Sequence, residues 1–394
     1  MNKASASNDL LEVAYQKSVE LLEENSGRYG FFAAGKSPQA KSRRYLDVFA
    51  RDAVICGLGA LADGNEKLIK AFRSSLITLA KHISPNGQIP FAVSPSNGMV
   101  RFRLPYSVDG NIWWLIGYWL YSELTPDKNF ERQYKDIFYQ SLAWLEQRLN
   151  FGLIEQGEAA DWADEMPRFG LVLYTNSLWL LFLRLISSRE RNSIYKNFLF
   201  FFSTEQIKKS DYPELFSHFP YFRKNLKQKI KKRPYFLTAV SRVTIEDSFD
   251  VFGNILACLS GMVDVDKVSV IIDEIIKNKA NTPGPIKSLA KPLPLTRGGI
   301  FEKSFQNKPW HYHNAGIWPM IGGFWVYLLA KQGRQDLAEQ ELINLAQINK
   351  KNNWQFNEYL HGRTGKPMGV KRQSWNAATF LLAYQAVIKN KFII

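Results

Sequence analysis

Apolar residues recur three or four positions apart in segment after segment, separated by short polar or Gly/Pro breaks, which is the spacing of helices that bury one face. The pattern predicts helices over 8–26, 46–62, 65–83, 107–123, 129–149, 172–188, 189–203, 247–262, 265–278, 311–332, 335–350 and 372–388. Breaks such as "LADGNEK" (61–67), "LTPDKN" (124–129) and "DVD" (264–266) are tight enough for helical hairpins. The longer connections, 84–106, 150–171, 279–310 and 351–371, fall mainly between pairs and carry most of the Gly, Pro, His and acid-aromatic clusters. Six hairpins closed into a ring predict an all-α (α/α)6 toroid with long loops gathered over one mouth, where function concentrates. The pairs share no sequence-similar repeat, which argues against a helical solenoid. Segment 204–246 reads as an irregular basic and aromatic insertion that interrupts an otherwise single domain spanning 1–394.

Charge changes the picture little. The formal net charge is +15, yet only Lys224 to Arg233, "KNLKQKIKKR", concentrates it. That run reads as a solvated basic face, and no nucleic-acid partner is expected. The 11 Trp, 17 Tyr and 27 Phe exceed what a core alone demands and weakly favour ring-stacking surfaces for sugars. Cys56 and Cys258 lie in apolar helical patterns and read as buried free thiols, with no disulfide framework. The N-terminal stretch lacks the apolar core of a signal peptide and no apolar run is long enough to span a bilayer, so a cytoplasmic protein is expected. His311 and His313, two apart, do not share a helix face, and no further His, Cys or Asp completes a metal set. With no phosphate-binding glycine loop or Ser-His-Asp signature either, no cofactor is expected.

Five segments pair an acid or a histidine with aromatic residues: "VFARDAV" (48–54), "SVDGNIWW" (107–114), "ADWADEMPRFG" (160–170), "WHYHNAGIWP" (310–319) and "WQFNEYLHGRTGKPMG" (354–369), the last followed by "KRQSWNAATFL" (371–381). Glycoside chemistry needs such a combination: one carboxylic acid to protonate the leaving oxygen, a second carboxylate, and aromatic faces for the ring. Each residue also has a plainer reading. Asp161 and Asp109 suit helix N-caps, Arg51 with Asp52 suits a helical ion pair, and Trp113, Trp310 and Trp318 suit a core.

In order and spacing, "FARD", "VDGNIWW", "DWADEMPR", "HNAGIWP" and "NEYLHGRTGKPMG…KRQSWNAA" resemble the neutral/alkaline invertase family of glycoside hydrolases and related six-hairpin glucosidases. The resemblance spans about 48–380. It implies the (α/α)6 barrel and hydrolysis with inversion, with Asp164 as general acid and Glu358 as general base. Around them Arg51, Asp52, Asp109, Trp113, Asp161, Trp310, His313, Asn314, Trp318, Gln373 and Trp375 form the candidate sugar-binding wall. Trp162 and Met166 flank Asp164 and promise the apolar surroundings that raise a carboxyl pKa. Plant-like invertases carry a double arginine after the aspartate; here Glu165 and Met166 follow, a form closer to bacterial sequences called amylo-α-1,6-glucosidase-like. The expected partner is a small carbohydrate, glucosyl-type, such as sucrose or a short α-glucoside. The alternatives are a debranching-type α-1,6-glucosidase or glycosylglycerate hydrolase of the same fold and, in another class, a non-catalytic carbohydrate- or anion-binding toroid.

Overall fold

The computed structural model describes residues 3–102, 107–294 and 307–394, so parts of the connections 84–106 and 279–310 lie outside the described residues. The helices are α1 (Lys3–Glu24), α2 (Pro38–Ser42), α3 (Ala50–Asp63), α4 (Glu66–Ala80), α5 (Asp109–Leu124), α6 (Lys128–Glu146), α7 (Leu173–Leu185), α8 (Arg191–Phe202), α9 (Pro213–His218), α10 (Phe222–Lys229), α11 (Val251–Leu259), α12 (Val265–Lys277), α13 (Pro319–Lys331), α14 (Gln335–Trp354) and α15 (Ser374–Lys389). Every predicted helix has a counterpart, and α9 and α10 belong to the 204–246 insertion.

The tight hairpins have local causes. Asn65 accepts the Lys67 and Leu68 N–H groups at the start of α4, Asp127 accepts that of Phe130 in α6, and Asp264 accepts that of Asp266 in α12. Each carboxylate or amide oxygen satisfies a donor that the first turn leaves open.

Packing follows the two kinds of apolar pattern. Helices apolar nearly all round belong inside, and α3 is buried from Ala50 through Ala62. It packs on α5, α5 on α7, α7 on α11, α11 on α13, α13 on α15, and α15 back on α3. Helices with one apolar stripe lie outside. The stripe on α6 is Phe130, Tyr134, Phe138, Ser141, Trp144 and Leu145, and α6 covers α5 as α4 covers α3, α8 covers α7, α12 covers α11 and α14 covers α13. The last pair joins distant parts of the chain, because α1 lies on α15. A continuous buried apolar cluster runs from Leu11 to Ile394. Among the described residues, no helix is long and apolar enough to cross a membrane.

Two glycines set how closely the inner helices approach. A Cβ on Gly59 of α3 would collide with the Ala378 carbonyl of α15, and one on Gly323 of α13 would collide with the Thr379 side chain.

Two expectations need correction. The helix predicted over 311–332 begins only at Pro319. Trp310, Tyr312 and Ala315 have φ of 73°, 42° and 68°, in the left-handed region that L-residues leave in a helix, and Asn314 pins this loop through bonds to the Leu293 backbone and the Asn307 carbonyl. The fold is also not all-α. Short antiparallel strands occur as β1 (Ser26–Gly27), β2 (Gly30–Phe31), β3 (Val48–Phe49), β4 (Ala92–Val93), β5 (Val100–Arg101), β6 (Leu149–Asn150), β7 (Leu153–Gln156), β8 (Gly170–Val172), β9 (Ala239–Val240), β10 (Ile245–Glu246), β11 (Tyr359–Leu360) and β12 (Pro367–Met368). The largest sheet has the order β10-β9-β8-β7-β6 and carries the chain into α7 and α11.

Candidate active site

The N-terminal ends of the inner helices converge. From the first turn of α3, Arg51 Nη1 donates to Asp109 Oδ2 of α5 at 2.6 Å. Asp109 also accepts the Ser107 hydroxyl at 2.8 Å and the Tyr174 hydroxyl of α7 at 3.2 Å. Asp109 thus serves as the buried partner of Arg51, and no side-chain cap opens α5. Asp52, beside Arg51, is also buried. Burial pushes its carboxyl up to about 6; Arg51 opposes the rise, while the charges of Asp109 and Asp164 add to it.

The loop between β7 and β8 carries the two aspartates, and they differ. Asp161 is 2% exposed. Its oxygens accept the Arg168 Nη2 and Nε donors at 2.7 and 3.0 Å, the Gln156 amide at 2.8 Å and the Ala163 N–H at 2.8 Å. Burial alone would raise its pKa, but Arg168 and these bonds hold it below the usual carboxylate value. Arg168 reaches onward from Nη1 to Asp250 Oδ2 at 2.7 Å, while Asp250 caps α11 through the Gly253 N–H. Asp250 receives one arginine bond where Asp161 receives two, and burial keeps it above its ordinary value. With both oxygens committed to a permanent cation, Asp161 is a structural anion. It caps no helix, since α7 starts only at Leu173. Asp164, three residues on, is half-buried, while its neighbours Trp162 and Met166 turn into the core.

Glu358 comes from nearly 200 residues further along the sequence, on the connection entering β11, and is 4% exposed. Tyr45 donates its hydroxyl to Oε1 at 2.7 Å, and the Val370 N–H donates to Oε2 at 2.8 Å. Gly369, at φ 73°, passes so close that a Cβ there would collide with the carboxylate. Burial raises the Glu358 pKa; the Val370 and Tyr45 bonds and the Arg43 charge oppose it, and the charge of Asp164 raises it further. Asp164 also acts electrostatically on Tyr45, Arg51, Asp52 and Tyr312. Asp164 and Glu358, far apart in sequence, therefore both act on Tyr45 and Tyr312.

An aromatic wall adjoins them. Trp162 meets His313 at 4.9 Å and Trp318 at 5.4 Å between centroids. His313 stacks on Trp318, which stacks in turn on Tyr359 and meets Trp375 edge-on. The predicted platforms are mostly sealed. Trp113 and Trp318 are fully buried, with indole N–H groups donating to the Tyr174 hydroxyl and the Tyr312 carbonyl. They support the site from behind. Asn314 spends its amide on the loop backbone, and Gln373, also buried, directs its amide to the Val370 carbonyl at 3.4 Å. Trp310 is half-buried between Lys287 and Arg363, whose cations lie 5.4 and 5.2 Å from its centroid. Among the described residues, Arg51 Nε, Trp162 Nε1 and Trp375 Nε1 are buried donors with no hydrogen-bond partner, which folded proteins seldom tolerate without a reason. Among the described residues, no three His, Cys, Asp or Glu side chains group as a metal site.

Sequence reasoning missed Tyr45, Arg168, Asp250 and Tyr174. Arg168 stood inside the quoted aspartate segment, and its spacing from Asp161 was the available signal. Tyr45 lies outside every helical pattern and offered none.

The fold is shared with solved glycosidases. The GH63 mannosylglycerate hydrolase from Thermus thermophilus, solved with Tris and D-glycerate, superposes with a TM-score of 0.61 over 94% of this chain and 99% of its own, at 13% identity. The glucoamylase of Hormoconis resinae gives 0.59 over 98% of this chain and 74% of its own, also at 13%. The class is therefore that of helical proteins with the glycosidase fold. Within it, the profile of the alkaline and neutral invertases matches residues 187–390, more than half of the chain, and the chain belongs to that family. The match contains Glu358 and leaves Asp164 outside. The probable alkaline/neutral invertase F of Arabidopsis thaliana is 30% identical over 158 residues, 38% of this chain. The chain spans under a third of the length of the curated relatives it matches.

Proposed function

We propose that the chain is an inverting glycoside hydrolase whose six hairpins form one (α/α)6 toroidal domain, acting on a small glucosyl-type sugar such as sucrose or a short α-glucoside. The observation that carries this reading is the setting of Glu358: a buried carboxylate, fixed on both oxygens by Tyr45 and Val370, within reach of the charge of Asp164.

Glu358, as general base, takes a proton from a water that attacks the anomeric carbon; Asp164, as general acid, protonates the departing oxygen from the other side of the ring. The water needs room, so this mechanism requires about 6.5–9.5 Å between the two carboxyls. The buried donors Arg51 Nε, Trp162 Nε1 and Trp375 Nε1, which make no hydrogen bond among the described residues, are suited to sugar hydroxyls, and Asp52 and His313 complete the wall. Family membership and the glycosidase fold support the class of reaction.

The test is turnover of sucrose, maltose and isomaltose by the purified protein and its variants. Asp164→Asn should lose about 10²-fold or more on these substrates and regain turnover on α-glucosyl fluoride, whose leaving group needs no proton. Glu358→Gln should stay inactive on both, because water still requires a base. Failure of the unaltered protein on the whole panel, or full activity of Asp164→Asn on a disaccharide, would defeat the proposal.

A further inference from the structure

The 204–246 insertion builds a cleft that the chemistry above leaves unused. Its volume is about 1120 Å³, at or beyond the upper end of the roughly 300–1,000 Å³ that small-molecule sites occupy. One wall is a row of the five-stranded sheet, the paired residues Glu155, Leu171, Val240 and Ile245. Side chains alternate across a strand, and the next residue of β7, Gln156, donates to Asp161. The cleft thus takes in the face of the sheet turned away from Asp161, together with Ala239 and Glu246 of the neighbouring row. The cleft and the candidate active site share Pro167 and Arg168, on the loop that carries Asp164, and Glu246 of β10.

The opposite wall is aromatic. Phe219 and Phe222 line it half-exposed, and Tyr221 stands 69% exposed at its rim. Neutral hydrogen-bonding groups also line the cleft: Asn225 of α10, and Ser241 and Thr244 of the turn between β9 and β10. The charge is balanced within the cleft, although the insertion around it is basic. Of the six cations in 224–233, only Lys229 lines it. Glu155 and Glu246 offset Lys229 and Arg242, while Arg168 is already paired with Asp161 and Asp250 and Asp247 with Arg233. An anion trap would gather the lysines inward; this cleft leaves them outside and keeps rings and neutral polar groups. Rings supply apolar faces for pyranose C–H groups, and amides and hydroxyls supply hydrogen bonds.

We propose that this cleft is a second carbohydrate site, one that takes a neutral oligosaccharide of several hexose units. The inference rests on the reading of the protein as acting on carbohydrate, but its test is a binding measurement and does not need turnover. Maltohexaose and cellohexaose are titrated by calorimetry into the Glu358→Gln protein, with and without Tyr221→Ala or Val243→Arg. Both substituted side chains are exposed, Val243 at 77%, so the fold tolerates either change. One of the two sugars should bind, and each variant should weaken it about tenfold or more; the same substitutions in the catalytically intact protein should leave disaccharide turnover unchanged. The proposal falls if neither hexasaccharide binds, if both variants bind as well as their parent, or if heparin shows the Tyr221 dependence instead. Tyr221-dependent binding in a protein that hydrolyses no disaccharide would keep this site and remove the catalytic reading; active protein with no such dependence would do the reverse.

Discussion

Glu358 stands between opposed influences: burial lifts its pKa, and the hydrogen bonds from Val370 and Tyr45 pull it down. A base works only when ionised, and the Tyr45 hydroxyl stabilises the ionised form. Removing that bond in Tyr45→Phe raises the Glu358 pKa, so the acidic limb of the activity profile should move to higher pH, by about one pH unit for a bond to a charged group. A profile of kcat against pH for both proteins checks this; an unmoved limb would release Tyr45 from its positioning role. Arg168 makes a different prediction. It holds two buried carboxylates, and replacing it with Met leaves both uncompensated, at about 3–5 kcal/mol in folding stability. Denaturant unfolding measures the loss, and a change below about 1 kcal/mol would contradict the pairing. At this scale the sequence singled out Asp164 and Glu358 only through the motifs around them, since an acid alone serves as readily as a helix cap or a surface charge. It was not legible for tryptophan. Trp113 and Trp318 serve equally as sugar platforms or as packing, and only their complete burial decides for packing.

Among the elements, helices read well because a buried face repeats with the helical period whatever the loops do. The strands, two to four residues long, are too short for alternation to register. Residues 311–318 show the converse error: Tyr312, Ala315 and Trp318 are spaced as on a helix face and are buried, but the backbone between them turns through positive φ. Helix α15 is the most constrained element. Its Ala378–Thr379 segment is wedged between Gly59 of α3 and Gly323 of α13, and its first turn carries Trp375. Gly323→Ala should therefore cost about 1–3 kcal/mol through overpacking and also lower activity, because any shift of α15 moves Trp375. Thermal melting paired with turnover tests both parts, and an unchanged melting temperature would show that the two helices can separate at no cost.

The whole molecule places the candidate acid and base on loops nearly 200 residues apart in sequence, and the packing of the chain brings them to shared neighbours. The sequence showed the helices and their pairing. It did not show the insertion's cleft, because a sheet row and an aromatic wall assembled from 150–247 leave no periodic trace. The contact of α15 with α3 also sets an order in time. The loop bearing Asp164 leaves the ribosome about 10–40 s before α15 at ordinary synthesis rates, and until α15 arrives the flank of α3 that it covers stays open. A chain cut after residue 372 should preserve that state: it should bind a hydrophobic dye, associate with holding chaperones and melt without cooperativity, and a sharp thermal transition would show that α15 is dispensable. The nascent chain should thus stay adhesive until α15 docks, so its yield in a cell should depend on chaperone supply more steeply than its finished stability would suggest.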